Sequence, residues 1–169
     1  IDVELTATER VGLHNYIFPN AENSRIIIDL GEGSADRPTE TYIKKVNDTL
    51  FEGHRFSTGW ARDQREYFSL IISKPVSDFI IYDRHKKFKG IERKGDYVKG
   101  FLEFSTEKDE KIMVKMGIST VSSKNALENM MIELPHWDFD RVKKNAEQKW
   151  EKELIKIKIK TKDKKKKRV

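Results

Sequence analysis

The chain has 169 residues, enough for one domain with a sizeable core, and its hydrophobic and charged fractions are both 37%. It has no cysteine and no apolar run near the roughly 18 residues of a membrane span, which excludes disulfides, thiolate metal sites and a spanning helix. Of the net charge of +6, residues 162–168 (KDKKKKR) contribute +5 from six basic residues and one acid, and the remaining +1 does not support a broad basic surface for nucleic acid.

Most of the chain is patterned as short strands. Ten segments show the expected length and apolar content: residues 1–8, 13–18, 25–30, two within 41–58, and then 65–73, 78–83, 86–92, 96–104 and 110–118. Polar residues 34–41 (SADRPTET) are predicted as a loop and residues 93–95 as a tight turn. Strands at spacings of about 8 to 12 residues are typical of an antiparallel β-sandwich.

Two helices are predicted after the last of these strands, over about residues 123–134 and 138–153. Ser122 or Ser123 can cap the first helix, Pro135 ends it, and Asp138 can cap the second. Each helix has one apolar face, formed by Leu127, Met130, Met131 and Leu134 in the first and by Phe139, Val142, Ala146 and Trp150 in the second.

The end of the chain returns to strand-like alternation. Ile155, Ile157 and Ile159 alternate with lysines, which predicts a final strand with one face on the core. The sequence therefore predicts a β-sandwich domain over residues 1–161 and a charged linker over residues 162–169. Because Ile1 is already in phase with the first strand, we expect the chain to be a fragment.

The residues that could carry chemistry are few. The four histidines (His14, His54, His85 and His136) are widely spaced, so a structural role is expected and no metal ligands are assigned. Gly31 and Gly33 follow a strand but lack the helix and the lysine of a phosphate loop, which indicates a tight turn. Asp138 and Asp140 could form an acidic pair, but helix capping explains Asp138 without chemistry.

One segment is a candidate for carbohydrate binding. In GHRFSTGWARDQREYF (residues 53–68), Trp60 could offer a ring face to a sugar, with Arg62 and Gln64 as partners for its hydroxyls. The alternative is a structural tryptophan at a strand corner.

Four segments, in order, resemble a known enzyme family: ELTATERVGLHNYIFP, IIIDLG, GHRFSTGWARDQREYFSLIISKP and KMGISTVSSKNALENMMIELPHWDFDRVKKNAEQKWEKEL. They are similar to the amino-terminal domain of the glycoside hydrolase family 92 α-mannosidases, and the resemblance covers nearly the whole chain. It implies a β-supersandwich of the galactose-mutarotase-like type, followed by an (α/α)6 helical barrel. It also implies a secreted or periplasmic bacterial parent enzyme that removes α-linked mannose from glycans by calcium-dependent inversion.

The resemblance leaves the chemistry outside the chain. The family's opening segment would precede Ile1, and the helical domain with the acid, base and calcium ligands would follow Val169, so no catalytic or metal residue is assigned here. We therefore expect a non-catalytic domain fragment of an exo-α-mannosidase, which binds no calcium itself. The alternatives are a stand-alone carbohydrate-binding module with Trp60 as its platform, or nucleic-acid binding through the lysine tail.

Overall fold

The computed structural model of the protein describes residues 1–156. In this part of the chain eleven strands precede two helices: β1 (Asp2–Ala7), β2 (Val11–Phe18), β3 (Ala21–Asp29), β4 (Asp36–Lys45), β5 (Leu50–Gly59), β6 (Gln64–Ile72), β7 (Asp78–Asp83), β8 (Lys86–Phe88), β9 (Glu92–Gly95), β10 (Val98–Thr106), β11 (Glu110–Ser119), α1 (Ser123–Glu133) and α2 (Phe139–Leu154). The fold is mainly β with two helices near the C-terminus, as the sequence predicts.

The strands form two antiparallel sheets. The larger sheet has the order β1-β2-β11-β6-β5-β4-β9, and the smaller has the order β3-β10-β7-β8. The predicted antiparallel β-sandwich is therefore confirmed. Within residues 1–156, neither helix combines the length and the apolar content needed to cross a membrane.

The main core fills the space between the sheets. Side chains alternate between the faces of each strand, so one face of every central strand is apolar and inward. The largest buried members are Phe51, Ile43, Ile72 and Ile112 from the larger sheet and Phe104, Ile81, Leu102 and Val98 from the smaller. Each such side chain contributes roughly 1.5–3 kcal/mol by leaving water, and this burial holds the two sheets together.

The two helices form a third layer on the other face of the larger sheet. The Ser122 side chain caps α1 by accepting from the Asn125 amide, and Asp138 caps α2 by accepting from the Arg141 amide at 3.0 Å. Both predicted caps are thus confirmed, with Ser122 and not Ser123 at the first. Pro135 directly follows the end of α1.

A second, smaller core joins this helical layer to the sheet. It consists of Val11 and Leu13 from β2 with Met130, Leu134 and Val142 from the helical segment. Beneath the end of α1, the ammonium of buried Lys115 donates to the Leu134 carbonyl at 2.9 Å and lies 4.2 Å from the Trp137 ring centre. Burial lowers the pKa of Lys115. Helix and sheet therefore share both apolar and polar contacts.

A glycine allows α1 to approach β11 closely. A Cβ added at Gly117 would lie 2.3 Å from the Ala126 carbonyl oxygen, so no larger residue fits without displacing the helix. The start of α1 is held by two serines: Ser69 donates to the Ser123 carbonyl at 2.8 Å, and Ser123 donates to the Gly53 carbonyl at 3.0 Å.

Two segments predicted as loop or turn are strands in the structure, and the predicted strand 86–92 is divided between β8 and the start of β9. The predicted loop 34–41 is mostly strand, because β4 begins at Asp36 and its register shifts near Pro38, where a proline can sit at a bulge. The predicted turn at residues 93–95 is instead part of β9, which pairs with β4 at the sheet edge. Both segments are polar because they lie near an edge, and their composition resembles that of a loop.

Several predicted apolar faces are exposed. On α1, Met130 and Leu134 are buried but Met131 is exposed, and on α2, Val142 is buried but Trp150 is exposed. Along the edge strand β1 and the residue before it, Ile1, Val3 and Leu5 are all more than half exposed. The predicted final strand does not begin at Ile155, which is the C-cap of α2, and Ile157 and Ile159 lie outside the described residues.

Candidate functional site

The predicted sugar platform, Trp60, lies in the turn between β5 and β6. Its side chain is fully exposed, and the preceding Gly59 amide donates to the Ala61 carbonyl at 2.9 Å, which tightens the turn. A shallow groove of about 460 Å³ begins beside it and is lined by residues 33–37, Thr58 and Gly59. Trp60 is therefore accessible to a ligand.

None of Trp60, Arg62 and Gln64 lines the groove beside Gly59. Arg62 is exposed in the same turn, and the Gln64 amide donates to the Glu66 carboxylate at 3.1 Å from the first position of β6. The three residues are neighbours along a hairpin, and their role in sugar binding stays a prediction.

An aromatic cluster precedes this turn on the helix-side face of the larger sheet. The His54 ring stacks on Phe56 with centroids 4.2 Å apart and a 15° tilt, and it also stacks on Tyr42 at 5.4 Å. The His54 Nε2 atom lies 2.9 Å from the Glu40 carboxylate. These rings pack against one another, so His54 has a structural role on this face of the sheet.

The loop that contains Gly31 and Gly33, before β4, packs around an ion pair. Arg55 donates two hydrogen bonds to the Asp36 carboxylate, at 2.5 and 3.0 Å, and a third to the Leu30 carbonyl at 3.0 Å. These bonds from Arg55 lower the pKa of Asp36 to about 2. A Cβ at Gly33 would lie 2.5 Å from the Arg55 guanidinium, so this glycine makes room for the pair. The loop is a structural turn.

A larger groove of about 840 Å³ lies between the end of β1 and α2. It includes three acids, Glu9, Glu133 and Glu153, together with His136, Trp150 and Lys149. A glycosidase acid must hold a proton near neutral pH, which requires a raised pKa, and the reaction needs a second carboxylate opposite it.

The acids of this groove are engaged in ion pairs. Glu133 accepts from the Thr8 hydroxyl at 2.6 Å, from the Arg10 amide at 3.0 Å and from the Arg10 Nε atom at 2.5 Å. Burial alone would raise the pKa of Glu133, but these hydrogen bonds outweigh it and the pKa is lowered. Glu9 pairs with Lys149 at 3.0 Å. Glu133 is therefore a clamp between the β1–β2 turn and α1.

Within residues 1–156, no three histidine, aspartate or glutamate side chains come together as a metal site. No step of a reaction is assigned to a metal in this part of the chain.

Comparison with known proteins decides the family. The family model described as the Glycosyl hydrolase family 92 N-terminal domain matches residues 1–119. The chain belongs to glycosyl hydrolase family 92. The model of the family 92 catalytic domain matches residues 125–169, so α1 and α2 lie within the match to that second model. The boundary between the two family matches lies between residues 119 and 125. The predicted domain end at residue 161 stays a prediction. No curated protein matches the chain.

Solved structures of family 92 enzymes share the fold. The α-mannosidase BT3965 from Bacteroides thetaiotaomicron superposes with a TM-score of 0.87 at 26% identity, over 94% of this chain and 23% of that enzyme. The same enzyme in complex with mannoimidazole superposes with a TM-score of 0.86 at 26% identity, over 94% of this chain and 22% of that enzyme. The inverting mannosidase BT2199 from Bacteroides thetaiotaomicron VPI-5482 superposes with a TM-score of 0.79 at 20% identity, over 94% of this chain and 21% of that enzyme. The chain thus spans less than a quarter of the length of these relatives.

Sequence reasoning missed two groups of residues. The Glu133 clamp joins residues more than a hundred positions apart, and no local pattern predicts such a pair. A second aromatic groove lies on the outer face of the smaller sheet and includes Tyr82 and Phe101. The sequence did contain a signal for this groove, because the alternation within β10 places Phe101 on the face opposite Leu102.

Proposed function

We propose that this chain is the scaffold domain, with the first helices of the catalytic domain, of a family 92 exo-α-mannosidase that removes mannose from glycans. The proposal also includes a calcium-dependent inverting reaction and a secreted or periplasmic location for the whole enzyme. Its chemistry would be supplied by parts of that enzyme other than the residues described here.

The observation that carries this proposal is the family match together with the state of the acids. BT3965 is an α-mannosidase and has this fold over 94% of the present chain. The partly buried acids Asp36 and Glu133 are paired with Arg55 and Arg10, and both have lowered pKa values. An inverting glycosidase needs one carboxyl group with a raised pKa and a second that activates water. The proposal therefore assigns to the described residues the framework of the enzyme, and to other parts of the polypeptide its acid–base pair.

The exposed apolar surfaces support a scaffold role. Ile1, Val3 and Leu5 lie along one side of the edge strand β1, and Trp150 lies exposed on α2. Exposed apolar patches on a soluble domain mark places where other protein surfaces pack. In the proposed enzyme, these surfaces would pack against other parts of the polypeptide.

The test is a pair of assays with α-1,2-mannobiose and calcium. The 169-residue chain alone should release no mannose, whereas the full-length reading frame that contains it should release mannose with inversion at the anomeric carbon. Turnover by the 169-residue chain would contradict the scaffold role. A folded full-length protein that cleaves no α-mannoside would contradict the mannosidase assignment, and chelation of calcium without loss of activity would contradict the metal dependence.

A further inference from the structure

We propose that the outer face of the smaller sheet binds a neutral oligosaccharide in a groove over β7 and β10. This groove, called here the outer groove, has a volume of about 540 Å³, within the range of ligand sites in proteins. The residues that carry the argument are Tyr82, Arg84, Tyr97, Lys99 and Phe101. The inference rests on the proposed function only for its choice of mannose as the sugar.

The position of the outer groove follows from the pleat of β10. Val98, Leu102 and Phe104 face the core and are buried, whereas Lys99 and Phe101 lie on the opposite face and are partly exposed. Both helices pack on the larger sheet, on the far side of the main core from this face. The outer groove is therefore open to a ligand in the described structure.

Aromatic rings form the floor of the outer groove. Tyr82 on β7 and Phe101 on β10 are in edge-to-face contact, with centroids 5.1 Å apart and an interplanar angle of 60°. Tyr97 adds a third ring at the end of the groove. Aromatic side chains on a solvent-facing sheet surface offer apolar area and, through the tyrosine hydroxyls, hydrogen bonds. This combination suits the apolar face and the hydroxyl groups of a pyranose ring.

The cations beside these rings are already neutralised. The Lys99 ammonium lies 2.7 Å from the Asp29 carboxylate, and the Arg84 guanidinium lies 3.0 Å from that of Asp96. An anionic ligand would have to compete with both carboxylates. A neutral sugar would not, because neighbouring hydroxyls can accept from the cation and donate to its carboxylate partner at the same time. The charge pattern therefore favours a neutral glycan.

The side chain of Arg84 closes one end of the outer groove. Arg84 begins the two-residue turn between β7 and β8 and has φ of 55°, a left-handed conformation in which glycine or asparagine is preferred. Its guanidinium nevertheless stacks over the Tyr97 ring at 4.5 Å, at one end of the outer groove. The positive φ is that of a two-residue hairpin turn, and the Arg84 side chain lies beside Tyr97.

The experiment is a titration of the 169-residue chain with α-linked mannotetraose, followed by amide NMR shifts. We expect saturable millimolar binding, with the shifts centred on β7 and β10. Tyr82→Ala and Phe101→Ala should each weaken binding by about tenfold or more while the circular dichroism spectrum is unchanged. Tyr82→Phe, which keeps the ring, should retain most of the affinity. Trp150→Ala, on α2, is the matched control for an exposed aromatic residue elsewhere and should bind normally.

Arg84→Asn separates binding from folding. Asparagine accepts the left-handed turn, so we expect an unchanged or slightly raised melting temperature together with weaker sugar binding. A lowered melting temperature with unchanged affinity would overturn the role of Arg84.

Three results would overturn the inference as a whole: no saturable binding, loss of binding in Trp60→Ala but not in Tyr82→Ala, or preference for oligogalacturonate over neutral sugars. Binding of cellotetraose but not of mannotetraose would overturn the choice of mannose. The proposed function is tested separately by mannose release from the full-length protein, which does not depend on this titration.

Discussion

At the scale of single residues, the Arg55–Asp36 pair is the ion pair from which most stability is expected. Both side chains are less than one-fifth exposed, whereas the similar pair Arg65–Asp63 is more than half exposed on both sides. We predict that Arg55→Met lowers the free energy of unfolding by about 1–3 kcal/mol, because it leaves Asp36 with no guanidinium partner. Arg65→Met is the control and should leave the urea midpoint unchanged. Equal midpoints for the two variants would contradict the prediction.

The same pair predicts a dependence of stability on pH. The pKa of Asp36 falls from its usual 3.8 to about 2 in the folded protein, through the hydrogen bonds from Arg55. A group whose pKa is lower in the folded state stabilises the fold above its unfolded pKa, so this contribution is fully present above about pH 4 and is lost as pH falls towards 2.

Urea unfolding of the wild type and of Asp36→Asn between pH 2 and pH 6 measures this contribution. The difference in unfolding free energy between the two proteins should shrink steadily below pH 4. Other carboxylates with lowered pKa values, such as Glu110, are present in both proteins and cancel in the difference. A difference that does not vary with pH would contradict the assignment.

At the scale of elements, the Glu133 clamp fixes the end of α1 to the β1–β2 turn. Glu133→Gln keeps the size of the side chain but removes its charge, so the bonds from Thr8 and Arg10 weaken. We predict a loss of about 1–2 kcal/mol in the free energy of unfolding, together with faster hydrogen exchange at the end of α1. Glu128→Gln is the control, because its contact with Lys124 is long, at 3.9 Å, and exposed. Similar losses for both variants would rule out a clamp.

The elements also show how far sequence reasoning reaches. The strands of the sandwich core and both helix caps follow from local alternation and from Ser122 and Asp138, because burial and capping leave periodic or positional signals. The first half of β4 and most of β9 were missed because these segments are polar and lie near a sheet edge, where composition resembles that of a loop.

Sequence alone could not choose between candidate sites. Trp60 stood out because it is flanked by small and polar residues, but exposure and convergence are properties of the three-dimensional structure. Tyr82, Tyr97 and Phe101 are adjacent only after β7 and β10 pair, so their groove could be recognised only in the structure.

At the scale of the whole molecule, the edge strand β1 should make the chain self-associate. Its outer hydrogen-bonding edge is free in the described sheet, and Val3 and Leu5 add exposed apolar area. We predict that Leu5→Lys reduces association in sedimentation experiments without lowering the melting temperature. Val121→Lys is the control, because it replaces an equally exposed apolar residue outside the strands. Association that is equal in both variants would rule out the β1 edge as its cause.

The shared core of β2 and the helices has a practical consequence for the production of a shorter piece of this chain. The two family models divide the sequence near residue 120, but Val11 and Leu13 on one side of that division are covered by Met130 and Val142 from the other. A polypeptide that stops at the division would present these side chains and the ammonium of Lys115 to solvent. A recombinant piece should therefore end after α2 and not at the division between the two family matches.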